Sequence, residues 1–307
     1  MDMELAIVGA GSAGYSAAIY AGRSGLDTVV FDKGSGGGLA NLAPLVENYP
    51  GFESIYGMDL MDKMKDQAQG YAQFHMLEEV TDLVPEKDSA YVRVVTPKGD
   101  YEVGAVVIAT GATYKLLNVP GEKTLLGRGV SYCATCDGSF FKNKEVAVIG
   151  GGNSAVNEAL YLHYLGCRVT IVHRRNLLRA EATLGQRVSA QGISVIWNSE
   201  VEEILGDTKV TGLRIKNRET EKVTTLSVDG AFISVGEVPQ SALAKKIGVD
   251  TYGPGYIKTD RMQCTNILRV LAAGDVTGGM RQILTACAEG ALASMKAIEI
   301  LGKQYPF

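Results

Sequence analysis

An α/β fold in which one local pattern occurs twice is what the sequence predicts. In each copy an apolar strand runs into a glycine-rich turn, a helix follows, and a second apolar strand closes the unit. The copies begin near residues 5 and 145. The 307 residues suffice for two domains of ordinary size, and the 46% apolar content lets each bury its own core.

The first copy reads "LAIVGAGSAGYSAAIYAGRSG". Residues 5 to 8 form the strand, Gly9-x-Gly11-x-x-Gly14 the turn, and an alanine-rich helix runs to about Ser24. The next strand, "DTVVFD", ends in Asp32. Strand, glycines, helix, strand and terminal acid make the full Rossmann-type dinucleotide fingerprint. The glycines permit a tight turn and the close approach of a pyrophosphate to the helix N-terminus. Asp32 would hold a ribose hydroxyl and repel a 2′-phosphate.

The second copy is "EVAVIGGGNSAVNEALYLHYLGCRVTIVHRR". Its strand covers 145 to 149, its turn is Gly150-x-Gly152-x-x-Ala155, and its helix runs to about Leu165. The second strand ends at Val172, where the acid is replaced by His173-Arg174-Arg175, with Arg179 four further on. An arginine pair there suits a 2′-phosphate by charge and by forked hydrogen bonds. A solvated basic loop is the plainer alternative. FAD in the first site and NADPH in the second is the economical reading.

Further along, "AVVIATGA" (105 to 112) reads as a buried strand running into Thr110-Gly111, and "RVLAAGDVTGG" (269 to 279) as another ending in Gly274-Asp275. Asp275 stands before the helix of "RQILTACAEGALASMKAIEIL", where it could bond a cofactor's ribityl or phosphate region; Gly-Asp also makes ordinary turns. "GEVPQS" (236 to 241) reads as a boundary. The triple glycine 36 to 38 is either a flexible loop or a backbone that must lie against a flat ring.

Composition removes several function classes. A net charge of −4 with scattered basic residues lacks the basic stripe of a nucleic-acid binder. No run of 18 apolar residues marks a membrane span, and "MDMELAIVGAG" lacks the features of a signal peptide. The expectation is a cytoplasmic protein. Cys167, Cys264 and Cys287 stand alone and read as small buried hydrophobes. The three histidines are not spaced with the cysteines as zinc requires, so no metal site is expected.

Cys133 and Cys136 differ. In "SYCATCDGSF" they form a C-x-x-C pair, which in a reducing compartment reads as redox-active. A flavin takes hydride from a nicotinamide and can pass two electrons to a disulfide, so two nucleotide sites and one such pair complete a chain. Asp137, next to the pair, is placed to give or take the proton that thiol chemistry needs; a turn or helix-cap aspartate is the alternative.

With these residues assembled, the chain resembles the low-molecular-weight thioredoxin reductases along nearly its whole length. The residues that carry the resemblance are the first fingerprint, "ENYPG", "ATGA", "CATCDG", "GGGNSAVNEAL", "HRRNLLRA" and "AAGDV". The resemblance implies thioredoxin-disulfide reduction, with electrons passing from NADPH through FAD and the Cys133/Cys136 dithiol to thioredoxin or a thioredoxin-like protein. It implies two Rossmann-like domains, with an NADPH domain (115–240) inserted into a discontinuous FAD domain (1–114 and 241–307), and a homodimer.

Carried over residue by residue, the FAD contacts would be Gly9, Gly11, Ser12, Ala13, Gly14, Asp32 and Lys33 around the first turn. Gly38, Leu39 and Asn48 would add the following loops, and Ala109, Thr110 and Gly111 the "ATGA" segment. Gly274, Asp275, Arg281, Gln282 and Ile283 would complete the site. NADPH would meet Gly152, Asn153, Ser154 and Ala155 at the turn, and His173, Arg174, Arg175 and Arg179 at the 2′-phosphate. Asp32 stands where many flavoproteins carry glutamate, and Gly38 where many bacterial members carry glutamine. Within the same scaffold, a reductase using a deazaflavin or other donor, or an FAD-dependent dithiol oxidase, would not need the arginine motif.

Overall fold

A strand with apolar side chains at every position must be covered on both faces, as in a parallel sheet between two layers. Residues 5–8 of the strand Met3–Val8 are such a stretch in the computed structural model, which describes residues 2–43, 45–85 and 91–303. Leu5 and Ile7 enter one core, and Ala6 and Val8 enter the other. The same period of two recurs in Glu145–Gly150. There Val146 and Val148 face one core while Ala147 and Ile149 face another. The chain thus builds two separate sheets, one parallel and one largely so, each with a core on both sides.

The two compact units are Met1–Thr113 with Val238–Phe307, and Tyr114–Glu237. The second is inserted into the first, so the discontinuous α/β architecture implied by the resemblance is present. In the first unit, Gln73–Met76, Thr28–Asp32, Met3–Val8 and Gly99–Ile108 lie side by side in that order, all parallel. Gly99–Ile108 is shared. Its C-terminal end pairs in parallel with Val270–Ala272, and its N-terminal half pairs antiparallel with Val92–Thr96. The strand Val270–Ala272 therefore joins a sheet whose other strands all come from residues 3–108.

The fingerprint helix Ser12–Arg23 packs against Ile283–Ile300, the helix near the other end of the chain. Small residues allow the approach. A Cβ on Gly290 would stand 2.1 Å from the carbonyl oxygen of Ala13. Two hydroxyls bridge the helices, Ser16 Oγ donating to Cys287 O (2.7 Å) and Ser294 Oγ to Ala17 O (2.8 Å). These bonds satisfy buried hydroxyls that would otherwise be costly.

In the inserted unit the parallel order is Ser194–Ile196, Arg168–Val172, Glu145–Gly150, Gly230–Ser234 and Val130–Ser131. A three-stranded antiparallel sheet, Ser199–Leu205, Gly212–Asn217 and Val223–Ser227, belongs to the same unit. The two-residue strand Val130–Ser131 matters most for chemistry, because the chain turns from it into the cysteine pair. No helix among the described residues is long and apolar enough to cross a membrane.

Candidate active site

The first glycine turn has the shape its spacing predicts. A Cβ on Gly9 would lie 2.3 Å from Ala109 O, and one on Gly14 1.9 Å from Gly9 O, so both positions exclude a side chain. Gly11 differs: a Cβ there would meet no atom within 4 Å. That is the glycine whose bareness lets a pyrophosphate reach the backbone. A Cβ on Gly38 would stand 3.7 Å from Gly11 Cα, so these two glycines border the open space at the helix N-terminus. The residues present fit a dinucleotide.

The triple glycine is a fixed loop. Gly36, Gly37 and Gly38 have φ of 87°, 86° and 59°, a region that disfavours side chains, and Gly37 N donates to Ala10 O at 2.7 Å. Leu39 follows in the turn Gly38–Leu42. Asp32 accepts from Ala10 N through Oδ2 and from Gly34 N through Oδ1, both at 2.7 Å. Each oxygen keeps a further lone pair for a ribose hydroxyl. Lys33 is exposed, while Ser12 and Ala13 are buried in the first helical turn.

The segment 105 to 112 is a buried strand running into Thr110-Gly111, as expected. The strand ends at Ile108, and Ala112–Tyr114 is separate. Between them Ala109 turns its carbonyl toward Gly9, Thr110 Oγ1 donates to Gln240 O (2.7 Å), and Gly111 takes a left-handed φ of 68°. Asn48 is brought to Gln282, its Nδ2 donating to Oε1 at 3.1 Å. Gln282 caps the helix beginning at Ile283 through a reciprocal pair with Thr285. Arg281 Nη1 donates to Tyr256 Oη at 3.3 Å. Gly274 and Asp275 follow the strand Val270–Ala272, with Asp275 opening the turn Asp275–Thr277.

At the second turn, a Cβ on Gly150 would lie 2.3 Å from Ser234 O, whereas one on Gly152 would meet nothing within 4 Å. The same open cradle therefore recurs. Asn153 pairs with Glu181: its Oδ1 accepts from Glu181 N at 2.9 Å and its Nδ2 donates to Glu181 Oε1 at 3.2 Å. Ser154 is exposed and Ala155 buried.

Arg174, Arg175 and Arg179 are exposed, and none of their guanidinium groups has an ion-pair partner among the described residues. Arg179 N donates to Gly151 O at 2.7 Å, which ties the basic loop to the glycine turn. His173 is placed differently from its neighbours. Only 4% exposed, it packs its ring under Gly151, where a Cβ would come within 2.3 Å of Cε1, and its Nε2 bonds Leu177 O at 3.1 Å. Burial holds its pKa below the ordinary value, helped by the three arginines, so the ring is a neutral donor to Leu177 O.

Cys133 and Cys136 are joined in a disulfide, with Cα atoms 5.3 Å apart. Cys133 precedes the short helix Ala134–Asp137, and its Sγ accepts from Cys136 N at 3.2 Å. Asp137 stands where the following turn, Gly138–Phe141, would take a cap, yet makes no capping bond. Instead its Oδ2 accepts from Ser131 Oγ at 2.6 Å, while Oδ1 is buried without a hydrogen-bond partner among the described residues. Burial pushes this carboxyl above the ordinary range, opposed by the Ser131 bond. An acid with a raised pKa beside a disulfide can hold a proton and release it.

The two phenylalanines after the pair part company. Phe141 packs edge-on against Phe232 at 5.2 Å and fills the space over Gly230, whereas Phe140 is 38% exposed. Ser131 and Glu289 escaped the sequence reading. Glu289 Oε2 accepts from Gly274 N (2.7 Å) and Thr277 Oγ1 (3.1 Å), and so fixes the Gly-Asp turn. A glutamate inside a helix carries no sequence signal of such a role. Among the described residues no cluster of three or more His, Cys, Asp or Glu could hold a metal ion.

The pyridine nucleotide-disulphide oxidoreductase family matches residues 3–290 of this chain. The thioredoxin reductase of Listeria monocytogenes is 44% identical over 298 residues, covering 96% of this chain and 92% of that protein. That of Treponema pallidum is 42% identical over 299 residues, covering 96% of each. Among solved structures, thioredoxin reductase from Streptococcus pyogenes superposes with a TM-score of 0.92 at 40% identity, covering 98% of each chain.

Proposed function

This chain belongs to the pyridine nucleotide-disulphide oxidoreductase family, and from that premise we propose how its residues divide the work of a thioredoxin-disulfide reductase. It passes electrons from NADPH through FAD to a thiol–disulfide centre and on to thioredoxin. The observation that carries the assignment of the centre is the Cys133–Cys136 disulfide next to Asp137, whose Oδ1 is buried and whose pKa is raised. When bound, FAD accepts a hydride equivalent from NADPH and supplies two electrons to that disulfide.

In the first unit, Gly11 and Gly38 leave the backbone open to the FAD pyrophosphate, and Asp32 meets a ribose. Asn48 and Gln282 brace each other, and Glu289 keeps Asp275 and its turn in place. In the inserted unit, the turn at Gly152 receives the NADPH pyrophosphate. Arg174, Arg175 and Arg179 hold the 2′-phosphate, and His173 acts from beneath, bracing the loop that presents them. The donor alternatives, a deazaflavin reductase or a dithiol oxidase, leave three unpaired arginines without a task.

The arginines give a direct test. A hydrogen bond to a charged group contributes roughly 1.5–3 kcal/mol, or about 10- to 150-fold. Arg174→Ala with Arg175→Ala is expected to cut kcat/KM for NADPH by at least about tenfold and to leave NADH almost unchanged. A double variant that keeps the wild-type NADPH-to-NADH ratio would remove the assignment.

Two electrons entering the Cys133–Cys136 bond break it and leave two thiolates. Asp137 gives one of them its proton. The dithiol then reduces thioredoxin by exchange through a mixed disulfide, and Asp137 takes the proton back. Phe140, exposed beside the pair, is the apolar anchor for thioredoxin, and Arg128, also exposed, lies on the preceding turn. Phe140→Ala should raise the KM for thioredoxin about 5- to 30-fold, on the scale of an aromatic anchor. Flavin reduction by NADPH should not change. Phe141→Ala is the contrasting variant, because its half-buried ring packs against the core and its loss should cost about 2 kcal/mol of stability. A Phe140→Ala enzyme with unaltered KM would discard the docking site. The homodimer implied by the resemblance and the cytoplasmic location expected from the sequence belong to the same proposal. A reducing compartment suits the three free cysteines, and a sedimentation mass of 32.7 kDa would remove the dimer.

A further inference from the structure

Ser131 sits in the strand Val130–Ser131, held in register by Ala231 and Phe232. It is only 3% exposed, so its hydroxyl must find partners inside the protein. There are three: Asp137 Oδ2 at 2.6 Å, the Cys133 N–H at 3.0 Å and the Cys133 carbonyl oxygen at 3.3 Å. A hydroxyl has one hydrogen and two lone pairs. The Cys133 N–H takes a lone pair. The hydrogen goes to the nearer and more negative acceptor, Asp137 Oδ2.

Oδ2 is therefore committed as an acceptor. A proton that joins this carboxyl while that bond is kept sits on Oδ1, the buried oxygen with no partner among the described residues. We infer that Ser131 is a positioning residue for the dithiol reaction. It makes Oδ1 of Asp137 the oxygen that gives and takes the proton, and it ties that acid to the backbone of Cys133. This rests on the proposed role of Asp137 as acid and base.

The step balances. The electron pair delivered by the NADPH-driven reaction breaks the S–S bond and yields two thiolates. Oδ1 transfers its proton to one sulfur, leaving a thiol, a thiolate and an ionised Asp137 whose charge the Ser131 hydroxyl stabilises. When the dithiol reduces thioredoxin through a mixed disulfide, the thioredoxin S–S bond breaks, the intramolecular S–S bond re-forms, the thiol proton returns to Oδ1, and the two thioredoxin thiolates take their protons from solvent.

The test follows re-oxidation of the NADPH-reduced, FAD-loaded enzyme by oxidised thioredoxin across pH. The variants are Ser131→Ala, Ser131→Val, Ser131→Thr, Asp137→Asn and Ser131→Ala with Asp137→Asn. Ser131→Ala and Ser131→Val should slow this half-reaction about tenfold, and Ser131→Thr, which keeps the hydroxyl, should restore most of the rate. Removing a donor to the carboxylate favours its protonated form. The limb of the pH profile that Asp137→Asn abolishes should thus move up by about one unit in Ser131→Ala. In the Asp137→Asn background Ser131→Ala should add less than about a factor of two, since the pair acts as a unit.

Equal slowing at all pH values, or full additivity with Asp137→Asn, would leave Ser131 a purely structural residue and overturn the inference. So would equal rates for the Val and Thr variants, the pair that decides the matter if Ser131→Ala fails to fold. An Asp137→Asn enzyme at the wild-type rate overturns the acid–base reading itself. A slow Asp137→Asn beside a normal Ser131→Ala overturns only the role of Ser131.

Discussion

Replacing Cys133 or Cys136 with serine is expected to abolish thioredoxin reduction while NADPH still reduces the flavin. The two cysteines form the only disulfide among the described residues. A single remaining thiol can neither store two electrons as a dithiol nor release a mixed disulfide from within. No other cysteine can stand in. Nucleophilic sulfur is thiolate, and burial pushes the Cys167, Cys264 and Cys287 thiols up, the last to about 11. Cys167 also spends its S–H on Phe141 O at 3.1 Å. Hydride transfer precedes the thiol step, so flavin bleaching on anaerobic mixing with NADPH should survive in both variants. Wild-type turnover with thioredoxin in either variant would show that the pair is not the redox centre.

Asp137→Asn should slow the thioredoxin half-reaction by roughly 10²–10⁴-fold, the usual effect of a positioned acid or base. The change is well controlled. An asparagine oxygen can still accept the Ser131 hydroxyl, so the local geometry is kept and only the exchangeable proton is lost. The carboxyl's raised pKa comes first from burial, which disfavours its charged form. Such a group keeps its proton to a higher pH than an exposed aspartate does, which is the direction an acid beside a disulfide needs. Rapid mixing of the reduced enzyme with oxidised thioredoxin measures the step directly. An unslowed asparagine variant would return Asp137 to the role of a turn residue.

What the sequence discloses is what is local. The two glycine turns were legible because a tight turn and an open approach need glycine at fixed spacing, and Gly9 and Gly11 meet those two needs separately. The insertion was legible only through resemblance, since nothing near residue 113 or 237 records that Val270 will pair with Val106. The strand before Thr110-Gly111 is legible from its apolar run, and it ends at Ile108, ahead of the left-handed Gly111. His173 reads as one more basic group beside two arginines, yet the bare Gly151 leaves room for its ring to be buried. The Ser131–Asp137 bond spans six residues, but a serine before a cysteine pair carries no mark of its partner. The phenylalanines show the same limit: Gly230 and Phe232, some ninety residues later in sequence, decide which of the two is buried.

The crossing of Ser12–Arg23 with Ile283–Ile300 also has a consequence for synthesis on the ribosome. The Ser294–Ala17 bond joins residues 277 apart, so the first unit cannot close one face of its core until Ser294 has been translated. The inserted unit, Tyr114–Glu237, is contiguous and complete before that, Ser294 following Glu237 by 57 residues (294 − 237). At roughly 5–20 residues per second that is a lead of about 3 to 11 s. Over that interval the half-finished sheet built from residues 3–108 lacks its last parallel strand and the helix that covers it. Contacts of such long range also slow folding after release, because loop closure must precede any gain from them. A topology that splits one nucleotide-binding unit around another thus reverses the order of maturation: the segment made in the middle folds first, and the segment made first folds last.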